Sequence, residues 1–278
     1  MDYRDAYRVR PGADLDLAAI DPARTAPHDS HHAARKQIEA CVARLADLQY
    51  RLYAEGRRAL LIVLQGMDAA GKDGTIRHVF TGLNPQGTRV AAFREPSAIE
   101  AAHDFLWRIH KAAPAAGEIA IFNRSHYEDV VAVRVRELAA HEVWRSRFAR
   151  INDFETQLAE SGVRIVKLFL HISPEEQLKR FRKRLDDPAR QWKISESDYA
   201  DRRLWNAFQT AYAEALSRTA ADHAPWYVVP ADHKWHRNLV VAEIIAETLT
   251  EMNPRTPPPR VDLKDIRRRF HAAATGRG

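Results

Sequence analysis

Ala59-Leu60-Leu61-Ile62-Val63-Leu64-Gln65-Gly66-Met67-Asp68-Ala69-Ala70-Gly71-Lys72-Asp73-Gly74-Thr75 is the stretch that decides the fold. Its apolar opening is short enough for a buried strand, Gly66 to Lys72 is a G-x-x-x-x-G-K turn, and Ile76, Val79 and Phe80 then recur at helical spacing. Strand, glycine turn and helix in that order are the context of a phosphate-binding P-loop. Glycines let backbone N–H groups converge on an anion, and the helix N-terminus adds partial positive charge. The loop and first-turn positions Gly66, Met67, Ala69, Ala70, Gly71, Asp73, Gly74 and Thr75 are therefore candidate phosphate contacts, with the Lys72 ammonium beside them. The plainer alternative is a tight strand-to-helix turn with a surface lysine.

The loop departs from the usual pattern in one respect. A Ser or Thr hydroxyl normally follows the lysine and ligates Mg²⁺. Here Asp73 follows Lys72, and Thr75 comes too late to be taken as equivalent. Asp68 inside the loop would repel polyphosphate unless a cation lay between them. The metal ligand is then expected to have moved from a hydroxyl to a carboxylate, which suits hard Mg²⁺; the other reading is that Asp68 braces the loop.

With 278 residues, 45% of them hydrophobic, the chain can bury the core of one large α/β domain. A net charge of +6 suits an anionic partner without choosing among nucleotide, polyphosphate, nucleic acid and membrane surface. One cysteine, Cys41, excludes an intrachain disulfide and a cysteine zinc cluster. The start is polar, and no run reaches the length of a membrane span, so the expectation is a cytoplasmic protein.

Residues 1–30 carry scattered prolines and charges and read as an extended arm. Ile38, Cys41, Leu45, Leu48 and Leu52 form the stripe of an amphipathic helix. Further strands are expected at 88–93, 118–123, 163–172 and 226–230, with helices at about 98–110, 128–160, from Pro174, at 197–220 and from Trp235 to about Leu249. Strands alternating with helices predict a three-layer α/β/α domain over 31–252 built on a five-stranded parallel sheet. Its ligands are expected at the carboxyl ends of the strands. Residues 253–278, with Pro257-Pro258-Pro259 and Arg267-Arg268-Arg269, read as a basic tail.

Two more stretches carry chemistry. Asn123-Arg124-Ser125-His126-Tyr127-Glu128-Asp129 follows the third strand, where P-loop enzymes keep an acidic residue near Mg²⁺. Either Glu128 or Asp129 could approach a metal, and Arg124 could bind phosphate as a planar fork. His126 is expected to pack or hydrogen-bond, because this chemistry needs positioning and charge more than a base. Positive charge then gathers over 180–193, in the position of the arginine-rich lid of nucleotide kinases. Arg180 and Arg184 share a helical face, with Lys183 and Lys193 nearby. A helical basic lid over about 180–197 would neutralise a transferring phosphoryl group and exclude water; an isolated charge run would read as a solvated face. Arg94, Arg77 and Lys111 extend the cationic track or are plain surface charges. Trp107, Phe122 and Tyr127 are candidate base-stacking residues, although such aromatics more often sit in a core.

Gly66-Met67-Asp68-Ala69-Ala70-Gly71-Lys72-Asp73-Gly74, His103-Asp104-Phe105-Leu106-Trp107-Arg108-Ile109-His110 and Ile121-Phe122-Asn123-Arg124-Ser125-His126-Tyr127-Glu128-Asp129-Val130 closely resemble family-2 polyphosphate kinases. Lys193-Ile194-Ser195 and Lys234-Trp235-His236-Arg237-Asn238-Leu239 fit as well, and the likeness runs in order from about residue 30 to 252. The resemblance implies a thymidylate-kinase-like P-loop fold and reversible phosphoryl transfer between inorganic polyphosphate and nucleotides. It also implies Mg²⁺ or Mn²⁺ and an assembly of dimers or tetramers. In the family the residues corresponding to Asp68 and Asp129 handle metal, and those corresponding to Lys72 and the lid arginines handle phosphate. Glu128-Asp129 after Arg-Ser-x-Tyr resembles the class that takes AMP and ADP, with GMP and GDP as further acceptors to consider. Neither nucleic acid nor membrane is expected as a partner. An ATP-dependent nucleoside monophosphate kinase, or a non-catalytic polyanion binder, are the competing readings; carboxylates at an anion site disfavour the second.

Overall fold

A computed structural model describes residues 1–276. The strands are β1 (Ala59–Gln65), β2 (Thr88–Ala92), β3 (Ile119–Asn123), β4 (Val163–His171) and β5 (Trp226–Pro230). They form one parallel sheet in the order β2-β3-β1-β4-β5. All seven residues of β1 are buried, the first six an unbroken apolar run, as expected when helices cover both faces of a sheet. On one face the helices His31–Glu55 and Lys234–Met252 pack together, with the short Lys72–Val79 helix against the second of them; on the other, His141–Glu160 packs on β4 and against Trp205–Thr219. The sheet is thus the middle of three layers, as the alternating pattern predicts.

β1 lies between β3 and β4, with Leu64 paired to both Asn123 and Leu168. The loops after β1 and β3 therefore leave the same edge of the sheet side by side. That edge is the crevice where open α/β sheets bind ligands.

Several expected elements are subdivided. The helix expected over 128–160 is a 3₁₀ turn at His126–Asp129, a short helix at Ala132–Val135 and a long helix at His141–Glu160. Glu137, at φ +54°, turns the chain out of helical geometry between the last two. The helix expected near 98–110 is split into Ala98–Ala101 and Trp107–Ala112, with Asp104 accepting from the Leu106 amide at 2.9 Å between them. The 197–220 helix breaks at Leu204.

Residues 1–30 are not a free arm. A short helix at Tyr3–Tyr7 buries both tyrosines, and Val9 and Leu17 are buried as well. The Val9 amide donates to the Trp226 carbonyl at 2.9 Å, and Arg8 bridges Tyr227 in antiparallel sense. The arm thereby covers the outer edge of β5, which would otherwise present unpaired backbone groups. Beyond Asn253, a left-handed cap at φ +46°, an irregular segment leads to a helix at Leu263–Ala274 that the proline- and arginine-rich composition did not announce.

Candidate active site

The loop after β1 has the backbone that the glycine pattern predicts. Gly66 stands at φ +148°, and a Cβ there would meet the Leu170 carbonyl at 2.7 Å; Ala69 and Gly71 stand at φ +61° and +110°. Gly71 caps the Lys72–Val79 helix without a side-chain partner, which leaves the first N–H groups of that helix to an anion. Thr75 is a correction. It is buried, its amide donates to the Gly71 carbonyl at 2.9 Å and is not free for phosphate, and its hydroxyl is enclosed with no hydrogen-bond partner.

Two arginines hold the back of the loop. Arg180 is 6% exposed; its Nη1 donates to the carbonyls of Ala69 and Ala70 at 2.9 and 2.8 Å, and its Nη2 to those of Ala231 and Asp232 at 2.5 and 2.9 Å. Its Nε donates to Glu176 at 2.8 Å, so all five guanidinium N–H groups have an acceptor. Arg180 is thus a brace beneath the loop rather than a lid cation closing over phosphate, which corrects the expectation. Its helix, Pro174–Leu185, packs its buried side against the loop instead of arching over it. Arg237, 2% exposed, adds a donor to the Ala70 carbonyl at 3.2 Å and bonds Asn238. With the Ala69 and Ala70 carbonyls held from behind, the neighbouring amides are left for an anion, except that of Ala70, whose N–H donates to the Met67 carbonyl at 3.1 Å. Burial, then Arg180, lower the Arg237 pKa to about 9.

In front of the loop, Asp68, Arg124, Glu128, Arg136, Asp201 and Tyr212 line a cleft with Gly66 and Met67. The Asp68 carboxylate accepts from Arg124 Nη2 at 2.6 Å. Lys72 Nζ donates to the carbonyls of Gly66 and Met67 at 2.6 and 3.2 Å. Burial, followed by the neighbouring Arg124 charge, lowers the Lys72 pKa to about 8. For Arg124 burial works the other way, yet Glu128 and Asp68 hold its pKa above the ordinary guanidinium value.

The two acids after β3 part company. Glu128 lines the cleft beside Asp68, whereas Asp129 is buried between Arg147, at 3.5 Å, and Arg108, at 3.7 Å. Burial raises the Asp129 carboxyl pKa despite those cations, and its Oδ2 has no hydrogen-bond partner. The structure therefore corrects the pairing of Asp68 with Asp129: Glu128 is the acid that shares the cleft. A rigid base sets this turn. Lys167 and Glu155, both buried, meet at 2.5 Å; Glu155 accepts from Tyr127 at 2.8 Å and lies 3.2 Å from His126 Nε2. His126 is a packing residue, as expected. Phe122 and Tyr127 are fully buried and cannot stack on a base, whereas Trp107 is partly exposed and stacks on His103 at 4.0 Å.

The lid is the end of the Pro174–Leu185 helix, a 3₁₀ turn at Gln191–Lys193 and the Glu196–Arg203 helix. Lys193 Nζ reaches Asp73 at 2.8 Å, and Asn123 Nδ2 donates to the other oxygen of Asp73 at 2.8 Å. Asp73 thus ties the lid to the ends of β1 and β3. Arg184 pairs with Asp198 at 3.3 Å and points into the lid itself, while Lys183 is exposed. Arg94 is exposed beyond β2, where only its carbonyl is engaged, by Arg108 at 2.7 Å.

Four functional candidates were missed. Asp201 enters the cleft on the lid helix, gripped by Arg136 in a fork at 2.6 and 3.1 Å. Lys234 lies near enough to Arg180, Lys183, Arg237 and Arg190 for them to depress its pKa after burial does so. Lys234 and Arg237 open the Lys234–Met252 helix, where cations oppose the helix dipole. That unfavourable placement was the available signal; Asp201 and Arg136 had none. Among the described residues no three His, Cys, Asp or Glu side chains gather as a metal cage. Asp68 and Glu128 are hard oxygen donors in one cleft, which fits Mg²⁺ completed by water and substrate phosphate. No helix among the described residues is long and apolar enough to cross a membrane.

The family model described as polyphosphate kinase 2 (PPK2) matches residues 28–257. An AMP/ADP-polyphosphate phosphotransferase of Meiothermus ruber is 48% identical over 261 residues, 94% of this chain and 98% of the relative. An ADP-polyphosphate phosphotransferase of Rhodopseudomonas palustris is 43% identical, covering 91% of this chain and 93% of the relative. The crystal structure of polyphosphate kinase 2 from Arthrobacter aurescens superposes with a TM-score of 0.93 at 40% identity, over 97% of this chain and 96% of that one.

Proposed function

This chain belongs to the polyphosphate kinase 2 family, a premise from which we propose that it is a polyphosphate:AMP/ADP phosphotransferase working reversibly in the cleft between the β1 and β3 loops. The observation that carries the proposal is a cleft in which the anion-binding turn and Arg124 meet two carboxylates that Arg136 does not hold, Asp68 and Glu128, with Lys72 just behind it on the Gly66 and Met67 carbonyls. A site for a bare anion has no use for those acids. A site for phosphate chains with a divalent ion requires them.

The polyphosphate end lies on the loop amides and the first turn of the Lys72–Val79 helix. Lys72 leaves the carbonyls of Gly66 and Met67 for a phosphate oxygen, and Arg124 leaves Asp68 to fork onto the transferring group. Asp68 and Glu128 would hold Mg²⁺, with Mn²⁺ as a substitute, which would neutralise charge on donor and acceptor phosphates when bound. A terminal phosphate oxygen of AMP or ADP attacks the end phosphorus of polyphosphate in line, the bridging P–O bond to the next phosphate breaks, and the chain leaves one phosphate shorter. Catalysis rests on positioning and charge, with no strong base needed. Arg180 and Arg237 keep the loop's carbonyls turned away, and the Lys193–Asp73 pair holds the lid down to exclude water. The adjacent Glu128 and the likeness to relatives of both names favour AMP and ADP together, with GMP and GDP as further acceptors. A cytoplasmic enzyme assembled from two or four copies completes the reading.

ATP formation from polyphosphate and ADP, followed with luciferase and with no other phosphate source, tests the reaction. Turnover with AMP and ADP is expected. Activity only with ATP as donor would assign the fold to the nucleoside monophosphate kinase reading instead.

A further inference from the structure

The helix Leu263–Ala274 has no buried residue, although it is strongly two-sided. Leu263, Ile266 and Phe270, spaced three and four apart, are 47%, 43% and 68% exposed and form one apolar stripe. Helical geometry puts Arg267 and Arg269 along the borders of that stripe. An isolated helix of this length is marginal in water, and an apolar face is what tertiary packing normally covers. Residues 253–262, extended, reach roughly 33 Å, enough to carry the helix clear of its own domain.

The same chain carries a groove of complementary character. Between the residue 12–22 segment of the arm and the Trp205–Thr219 helix lies a cavity of about 1270 Å³, beside the carboxyl ends of β4 and β5. Leu15, Ile20 and Trp205 give it an apolar wall; Asp14, Asp16 and Glu175 are exposed carboxylates on its rim, and the arginine lining it, Arg218, is paired with Glu214 at 2.6 Å, so the rim is net acidic. On a chain of net charge +6, that acidity excludes the groove as a path for polyphosphate. It suits a cationic, apolar helix. The chain's own helix starts from the far end of the sheet: the Met252 carbonyl is held by Arg58, next to the start of β1, whereas the groove lies at the carboxyl ends.

We propose that the C-terminal helix docks in the Asp14–Asp16 groove of a second copy of this chain, apolar stripe against Leu15, Ile20 and Trp205, arginines against the acidic rim. Reciprocal exchange of the two helices closes a two-fold pair, since each copy both donates a helix and receives one. This inference is independent of the phosphotransfer reading.

The test is the mass of the full chain in solution at low micromolar concentration, by light scattering after gel filtration. Two changes on the helix, Ile266→Glu with Phe270→Glu, and separately two on the groove, Asp14→Lys with Asp16→Lys, are each expected to lower the mass about two-fold. Ile266 and Phe270 are exposed and cap nothing, so the helix variant should leave the melting of the domain unmoved; the groove variant also loses the bond from the Ala18 amide to Asp16 at 2.9 Å and should melt only slightly lower. Mixing the two variants should recover a heterodimer, because one intact helix then meets one intact groove. Adding Arg267→Glu and Arg269→Glu to the groove variant should restore assembly by reversing both charges. Wild-type mass in both variants overturns the proposal. So does unchanged mass together with loss of binding to phosphatidylserine vesicles, which would assign the helix to a membrane surface.

Discussion

Arg237 lies so close behind Gly71 that a Cβ on the glycine would stand 1.9 Å from Nη1 and 2.9 Å from Cζ. The glycine is needed for two reasons at once, a φ of +110° and the space its missing side chain leaves to a buried guanidinium. Gly71→Ala should therefore destabilise the domain by about 2–5 kcal/mol, combining backbone strain and overpacking. Urea unfolding measures it. A loss below about 0.5 kcal/mol would mean that the guanidinium moves aside freely, as surface groups do.

Arg180→Lys replaces five fixed donors with three on a mobile stem, so at least two of the five acceptors lose their partner. The expected result is a loss of about 2–4 kcal/mol of stability, read by denaturant unfolding, and a clear fall in kcat. Arg184→Lys, in an ion pair that is partly open to solvent, should change stability by less than about 1 kcal/mol. Equal effects in the two variants would restore Arg180 to the lid.

Glu128→Gln and Asp129→Asn distinguish the two neighbouring acids. Activity titrated with Mg²⁺ should shift to higher metal for Glu128→Gln by at least the roughly 10–100-fold seen when a metal site loses an outer partner. Asp129→Asn should leave that midpoint nearly unchanged, since its carboxylate faces Arg108 and Arg147. The reverse order would return the metal role to Asp129.

The Lys72 ammonium, with its pKa near 8, sets a pH dependence whose sign follows from linkage. An anion binds the protonated form better, so polyphosphate affinity should be highest below about pH 8 and fall as pH rises through that value. The free protein behaves oppositely. Its unfolded lysine binds a proton up to the ordinary lysine pKa, near 10.4, so this group's contribution to stability increases between about pH 8 and that point. A KM for polyphosphate that stays flat from pH 7 to 9.5, or a Lys72→Met variant with the same profile, would remove Lys72 from the effect.

Much of this was legible because one stretch carries both its local and its global signal. β1 reads as a buried strand, and Gly66 and Gly71 occupy left-handed backbone where the spacing predicts the turn. The alternation of strands and helices then leaves few topologies. What sequence spacing does not carry is the direction a side chain takes. Arg180 and Arg184 share a helical face in principle, yet one lies under the loop and the other turns back to Asp198. Glu128 and Asp129 are adjacent, and a tight 3₁₀ turn sends them to different sides. Arg136 and Asp201 are far apart in sequence and meet only through folding. The arm looked extended because its apolar residues are few and widely spaced, yet Tyr3, Tyr7, Val9 and Leu17 each find a buried site.

That arm has a practical consequence. Trimming the gene to begin at the first long helix would seem harmless, since every phosphate-handling group lies downstream. It would instead uncover the rim of β5, whose unpaired backbone groups would then pair with another exposed strand and promote aggregation. Bulky purification handles fused directly before Tyr3 invite the same fate, and a handle carried elsewhere on the chain avoids it.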